Sequence, residues 1–383
     1  MSQYAPQESA FGELLTARLI PQAAWRFDYG INTRIVKTTT ANGGTVTADG
    51  NRAKLTSSAH VAGLARVETL KRLRYALGEG GLLRITFVHA TPKALSKQYF
   101  GLGDTVDRLY FGYDGLDWGV GRRRSGTDHF IKLASFSGSN PGLDFANGNV
   151  YQIRYQWLGY GYLRFYCLNP DGENLGYSLM HTIAYPNTSA DVHILNPTLP
   201  IFAEVENAGN NSSIVAYTPS AAAFVEGETG DQGNPLDVFN SYDRTASFSD
   251  ANNNHLLTIR NKSAFLAIAN RVPVQINSIT LSRGSGAAST TARLYRSATT
   301  AGALVYTDVD ASNSPVDASP TTTTVTSSNA ERAFSLPAGA LFPIEFKPGE
   351  MVLQPGESLT IGIQNSGVQA TEVVATVNWS ELF

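Results

Sequence analysis

Tyr151-Gln152-Ile153-Arg154-Tyr155-Gln156-Trp157 alternates apolar and polar residues without a break. A strand points successive side chains to opposite faces, so a period of two marks one buried and one wetted face. Leu158-Gly159-Tyr160-Gly161 supplies a turn. The chain then returns with Leu163, Phe165 and Cys167 set against Tyr162, Arg164 and Tyr166. The stretch reads as a β-hairpin, and the same texture extends in both directions.

Further strands are expected at 82–89, 98–103, 108–113, 129–134, 177–184 and 201–206. Asn42-Gly43-Gly44, Asp49-Gly50, Asp114-Gly115, Asn147-Gly148 and Asp171-Gly172 punctuate them, because Asn or Asp followed by Gly suits the positive φ of tight hairpin turns. Leu64–Tyr75 fits a helix through apolar residues 64, 67, 70 and 73. The alternation of Ala65, Val67 and Thr69 fits a strand almost as well, and the surroundings favour the strand. A short helix or an extended arm is expected over 9–19. Strands about six residues long between such turns indicate sandwiches rather than βαβ units. The fold class is therefore all-β, with two jelly-roll-like β-sandwich domains.

Val225-Glu226-Gly227-Glu228-Thr229-Gly230 opens a polar, glycine-rich stretch that continues to Asn254. It reads as a linker over 226–254, between an N-terminal concanavalin-like sandwich (1–225) and a C-terminal sandwich (255–383). Beyond it, strand patterns resume at 255–260, 274–281, 292–296 and 303–309. A Thr/Ser-rich hairpin or loop follows at 312–328. Leu359, Ile361 and Ile363, then Val373, Ala375, Val377 and Trp379, form the clearest closing hairpin.

Only 16% of the residues are charged, and the net charge is −3, so no basic face for nucleic acid is expected. The N-terminus lacks a basic segment followed by an apolar one, so no signal peptide is expected and synthesis in a cytoplasm is. No apolar run reaches the ~18–20 residues of a membrane helix. The single cysteine, Cys167, excludes an internal disulfide framework and reads as a buried, inert thiol.

The chemistry-bearing residues are sparse. His60, His89, His129, His181, His193 and His255 show no metal-ligand spacing. No nucleophile elbow, phosphate loop or dinucleotide fingerprint is present. Glu204 and Glu206 share a strand face and come nearest to a glycosidase carboxylate pair, although the wet face of a strand explains them too. Asp104, Asp107 and Asp114 suggest a calcium loop or plain turns. Arg122-Arg123-Arg124 is the sharpest basic cluster, and strand geometry would split it between two faces. Tyr151, Tyr155, Trp157, Tyr160, Tyr162, Phe165 and Tyr166 crowd one hairpin, as core and interface. No residue is assigned a catalytic, cofactor-binding or metal-binding role.

Leu73-Arg74-Tyr75, Gly78–Phe87, Leu109–Gly115, Val150–Gly161 and Leu195–Pro200 together resemble a family of bacteriophage and large-virus virion structural proteins. The resemblance spans about residues 10–225 and, more weakly, Val377–Leu382. It implies a concanavalin-like first domain and a capsid-decoration, short-fibre or tail role, with no catalytic residues or cofactors to carry over. The expected function is thus a non-enzymatic virion structural protein, located in the virion. Its partners would be capsid or tail proteins and further copies of the chain, a trimer for example, with neither nucleic acid nor membrane. The alternative is a receptor-binding, lectin-like module whose aromatics stack on host glycans. A polysaccharide-degrading enzyme stands third.

Overall fold

The computed structural model describes residues 19, 21–76, 78–140, 142–170, 176–226, 236–285, 289–367 and 369–383. The Asp171-Gly172 turn and nearly all of the helix or arm expected over 9–19 lie outside these. Two compact units divide the chain, 1–231 and 232–383. Both are β-sandwiches, and every strand pairing among the described residues is antiparallel.

In the first unit, a six-stranded sheet runs in the order Pro21–Arg26, Ser220–Glu226, Gly80–Phe87, Asn149–Gln156, Leu163–Leu168, Tyr177–Ile183. A seven-stranded sheet runs Thr127–Lys132, Asp117–Arg124, Arg108–Asp114, Ser96–Gly103, Leu199–Asn207, Leu64–Leu73, Val36–Ala41. Leu64–Leu73 is thus a strand, as its surroundings favoured. The hairpin read from alternation pairs Tyr151 with Cys167, Ile153 with Phe165 and Tyr155 with Leu163. All six side chains are fully buried. Each large apolar side chain removed from water contributes about 1.5–3 kcal/mol, so this face commits the hairpin to the core. Phe111 joins the sheets, with ring centroids 5.0 Å from Tyr151 and 5.3 Å from Phe165.

In the second unit one sheet runs Asp237–Phe248, Thr371–Leu382, Val274–Arg283, Leu341–Glu345. The other runs Thr307–Asp308, Val316–Ser319, Asn253–Asn261, Ser358–Asn365, Thr290–Arg296, Arg332–Leu336. Leu257, Ile259, Ile279, Ile361, Val377 and Trp379 fill the space between them. Asp237–Phe248 corrects the linker reading of 226–254, because these residues form a twelve-residue strand paired along its whole length with Thr371–Leu382. Its polar composition misled: one side of the strand is wet, so serines, Asp243 and Thr245 need no burial. The strand expected at 303–309 shrinks to Thr307–Asp308.

Candidate functional site

The face of the seven-stranded sheet turned away from the core carries Arg66, Phe202, Glu204, Tyr99, Arg108, Tyr110, Arg123, Asp128 and Phe130. Room for the rings comes from glycine. A Cβ on Gly121 would lie 2.4 Å from Cζ of Tyr110, so only glycine lets that ring cross the strand. Arg66 Nη1 donates to Glu204 Oε2 at 2.9 Å, and Arg108 Nη1 donates to Oε1 at 3.3 Å. Arg108 Nη2 also donates to Asp128 at 2.9 Å. Burial pushes the Glu204 carboxyl up, but Arg66 and Arg108 outweigh it, and its pKa is lowered. Glu204 is therefore an ionised clamp rather than a proton donor. Glu206 sits at the rim, 3.8 Å from Lys97.

Asp107 has another task than the calcium loop suggested by its neighbours. It is 1% exposed and accepts from the backbone N–H of Ser125 (3.3 Å), Leu195 (3.2 Å) and Asn196 (3.3 Å). One carboxylate thereby ties the 104–107 turn to the 125–126 turn and to the loop over 184–198. Asp104 caps its own turn through the N–H groups of Val106 and Asp107, and Asp114 lies exposed at a hairpin tip. Among the described residues no group of three His, Cys, Asp or Glu could hold a metal ion.

The same long loop is fixed from its other side by the Leu158–Gly161 turn of the aromatic hairpin. His193 N–H donates to the Gly159 carbonyl (3.0 Å), Trp157 Nε1 to that of Ile194 (3.1 Å) and the Tyr160 hydroxyl to that of Ala190 (2.9 Å). Buried His193 Nε2 lies 2.8 Å from the Gln156 carbonyl, so that nitrogen carries the proton; burial lowers its pKa to about 4 and keeps the ring neutral. Arg124 meets Asp191 at 3.1 Å. This braced end of the sandwich presents to solvent Leu158 (57% exposed), Tyr160 (42%), Leu195 (48%) and the Arg124–Asp191 pair, together with the exposed stretch 186–190 of the loop.

The remaining candidates are dispersed. Arg122 lies over the Tyr185 ring, Arg123 pairs with Asp128 and Arg124 with Asp191, so the basic run is split. His89 is wholly buried, accepts from Trp118 Nε1 and has its pKa lowered by burial to about 3. His181 and His255 are likewise held down by burial. Burial pushes the Cys167 thiol up to about 11. Arg66, Arg108 and Asp128 escaped the sequence reading. Their positions in three separated strands carry no local pattern.

No protein-family model and no curated protein matches the chain. Among solved structures it is similar to a glycosyl hydrolase family protein from Mycobacterium fortuitum, at 11% identity over 54% of this chain and 100% of that one, with a TM-score of 0.38. A beta-1,3-glucanase from Mycobacterium marinum is similar at 8% identity (55% and 100% covered, TM-score 0.35). So is a legume lectin-like domain from Entamoeba histolytica, at 11% identity (56% and 100% covered, TM-score 0.35). At such identities the likeness is one of fold. These comparisons nevertheless correct two expectations. The expected non-enzymatic virion structural role is withdrawn, the solved structures that the chain is similar to being glycosyl hydrolase and lectin-like proteins by name. The expectation that the chain is not an enzyme is withdrawn with it.

Proposed function

We propose that the first unit recognises a carbohydrate through the end of the sandwich braced by Asp107. The observation that carries this reading is Tyr160: its hydroxyl is tied to Ala190, yet the residue stays 42% exposed. A ring held in place is a ready platform for the apolar face of a sugar, because little side-chain entropy remains to be lost on binding. Ala190 adjoins Asp191, so the Arg124–Asp191 pair sits one residue away in the chain to meet hydroxyl groups. Loops positioned by a rigid scaffold are the usual seat of recognition. The test is a glycan array probed with the full chain and with Tyr160→Ala. Binding to a defined glycan class that falls about tenfold in the variant is expected, in line with loss of an aromatic anchor. A blank array, or binding indifferent to the substitution, contradicts the reading. Incubating any bound glycan with the protein and assaying for new reducing ends tests for cleavage; should cleavage occur, its acid is a group other than Glu204.

A further inference from the structure

The second unit contains a cleft of about 320 Å³ lined by Arg260, Lys262, Ser263, Ala264 and Gly356. Arg260 is the penultimate residue of the strand Asn253–Asn261, and Lys262 directly follows the strand, so alternation turns both outward on either side of buried Asn261. Between them Asn261 points inward and is fully buried. Its Nδ2 donates to the carbonyls of Val272 (2.8 Å) and Leu353 (3.0 Å). The Gly356 N–H donates to the Asn261 carbonyl (2.8 Å), and the Asn270 N–H donates to that of Ser263 (3.0 Å). The walls are thus fixed by backbone bonds.

Arg260 lies 3.5 Å from the Tyr306 ring centroid and gives Nε and Nη2 to Asp317, at 3.0 Å and 2.5 Å. Lys262 Nζ gives one hydrogen to Asp308 at 2.6 Å. Nη1 of Arg260 and the Ser263 hydroxyl are left over as donors, and Lys262, whose ammonium also lies 5.6 Å from the Phe265 ring centroid, keeps two hydrogens that no hydrogen bond takes. The side chains lining the cleft therefore offer two cations and a hydroxyl, and neither of the paired carboxylates is among the lining residues. Asp308 is 44% exposed and can yield Lys262 to a competitor, whereas Asp317 at 5% keeps Arg260 oriented.

A second observation marks the same rim. Ala264–Phe265 and Ile268–Ala269 form a hairpin whose two-residue tip holds Leu266 at φ 49° and Ala267 at φ 61°. Neither is glycine or asparagine, so the tip stores strain of about 1–3 kcal/mol per residue, as occurs at ligand clamps. It presents Leu266 (63% exposed) and Ile268 (71%), on the hairpin whose first residue, Ala264, lines the cleft.

We propose that this cleft binds an oxyanion carried on a partly apolar ring, such as the carboxylate of a uronic acid residue. Arg260 and Lys262 take the oxyanion and the hairpin tip covers the ring. The site lies in the second unit and stands apart from the carbohydrate reading of the first. Because the cations already have partners, binding is weak and salt-dependent.

The test is calorimetric titration of the full chain with sodium glucuronate, sodium sulfate and glucose. Glucuronate is expected to bind with a Kd on the order of 1 mM, sulfate more weakly and glucose undetectably. Ser263→Phe fills the cleft without breaking any side-chain hydrogen bond recorded for Ser263, and Lys262→Gln removes one cation. Each is expected to weaken glucuronate at least about tenfold, with the melting temperature within roughly 2 °C of the parent. Equal binding of glucose, no glucuronate binding, or glucuronate binding unchanged in Ser263→Phe overturns the proposal. Sulfate binding as tight as glucuronate overturns the saccharide part alone. Tyr160→Ala should leave this titration unchanged, which separates the two sites.

Discussion

At the scale of the residue, Glu204 shows how one carboxylate is assigned its role. Its lowered pKa means that the folded state binds its proton less readily than the unfolded chain. The stability this contributes is present above the unfolded value, near 4.3, and is lost as pH falls through the lower folded value. Asp128, also lowered despite burial because Arg123 and Arg108 hold it, adds in the same direction. Glu204→Gln leaves Arg66 and Arg108 short of a counter-charge, and a loss of about 3–5 kcal/mol is expected in urea unfolding at neutral pH. The loss should shrink as pH falls below the unfolded value and through the lower folded one, where the parent carboxylate also protonates. Cys167 offers a simpler check. With its thiol near 11 and its side chain buried, it should resist a thiol reagent at about pH 8 and react fully only in denaturant.

At the scale of the element, Asp107 and the Leu158–Gly161 turn act together on the loop over 184–198. Asp107→Ala removes three charge-assisted bonds to backbone N–H groups. A loss of about 2–4 kcal/mol in thermal or urea unfolding is expected, with saccharide binding weakened alongside. Gly159 takes φ 83°, and a Cβ there would lie 2.9 Å from Val192 Cγ1, so Gly159→Ala should disturb the same loop. The strained tip in the second unit gives a prediction of opposite sign. The double change Leu266→Asn, Ala267→Gly suits two positive-φ positions and should stabilise the protein by about 1 kcal/mol in urea unfolding. If the tip covers a ligand ring, the same change should weaken glucuronate. The hairpins themselves were legible in the sequence because alternation and Gly-containing turns are local signals. Asp107 was legible only as a turn residue: two of its donors lie 88 and 89 residues away, and local spacing holds no trace of them.

At the scale of the molecule, the all-β class and sandwich architecture followed from period-two patterning, since a half-buried strand must alternate. The stretch 237–248 was misread for the same reason: a strand with a wet face and few large apolar residues resembles a linker until its partner, more than a hundred residues later, is known. The arginine clamp on Glu204 was equally hidden, because Arg66 and Arg108 reach it from 138 and 96 residues away. Tyr160 stood in plain view within the aromatic hairpin. Its exposure could not be told from that of Tyr151 or Tyr155 until the turn was placed. In the proposed function this ring, braced over the loop end, meets a saccharide. The most direct measurement is an NMR titration of the full chain, labelled at its tyrosine rings, with the saccharide that binds best on the array. Progressive shifts are expected at the Tyr160 ring, with the buried rings of Tyr151 and Tyr155 unmoved. Saturable binding that leaves Tyr160 unshifted would contradict the proposed function.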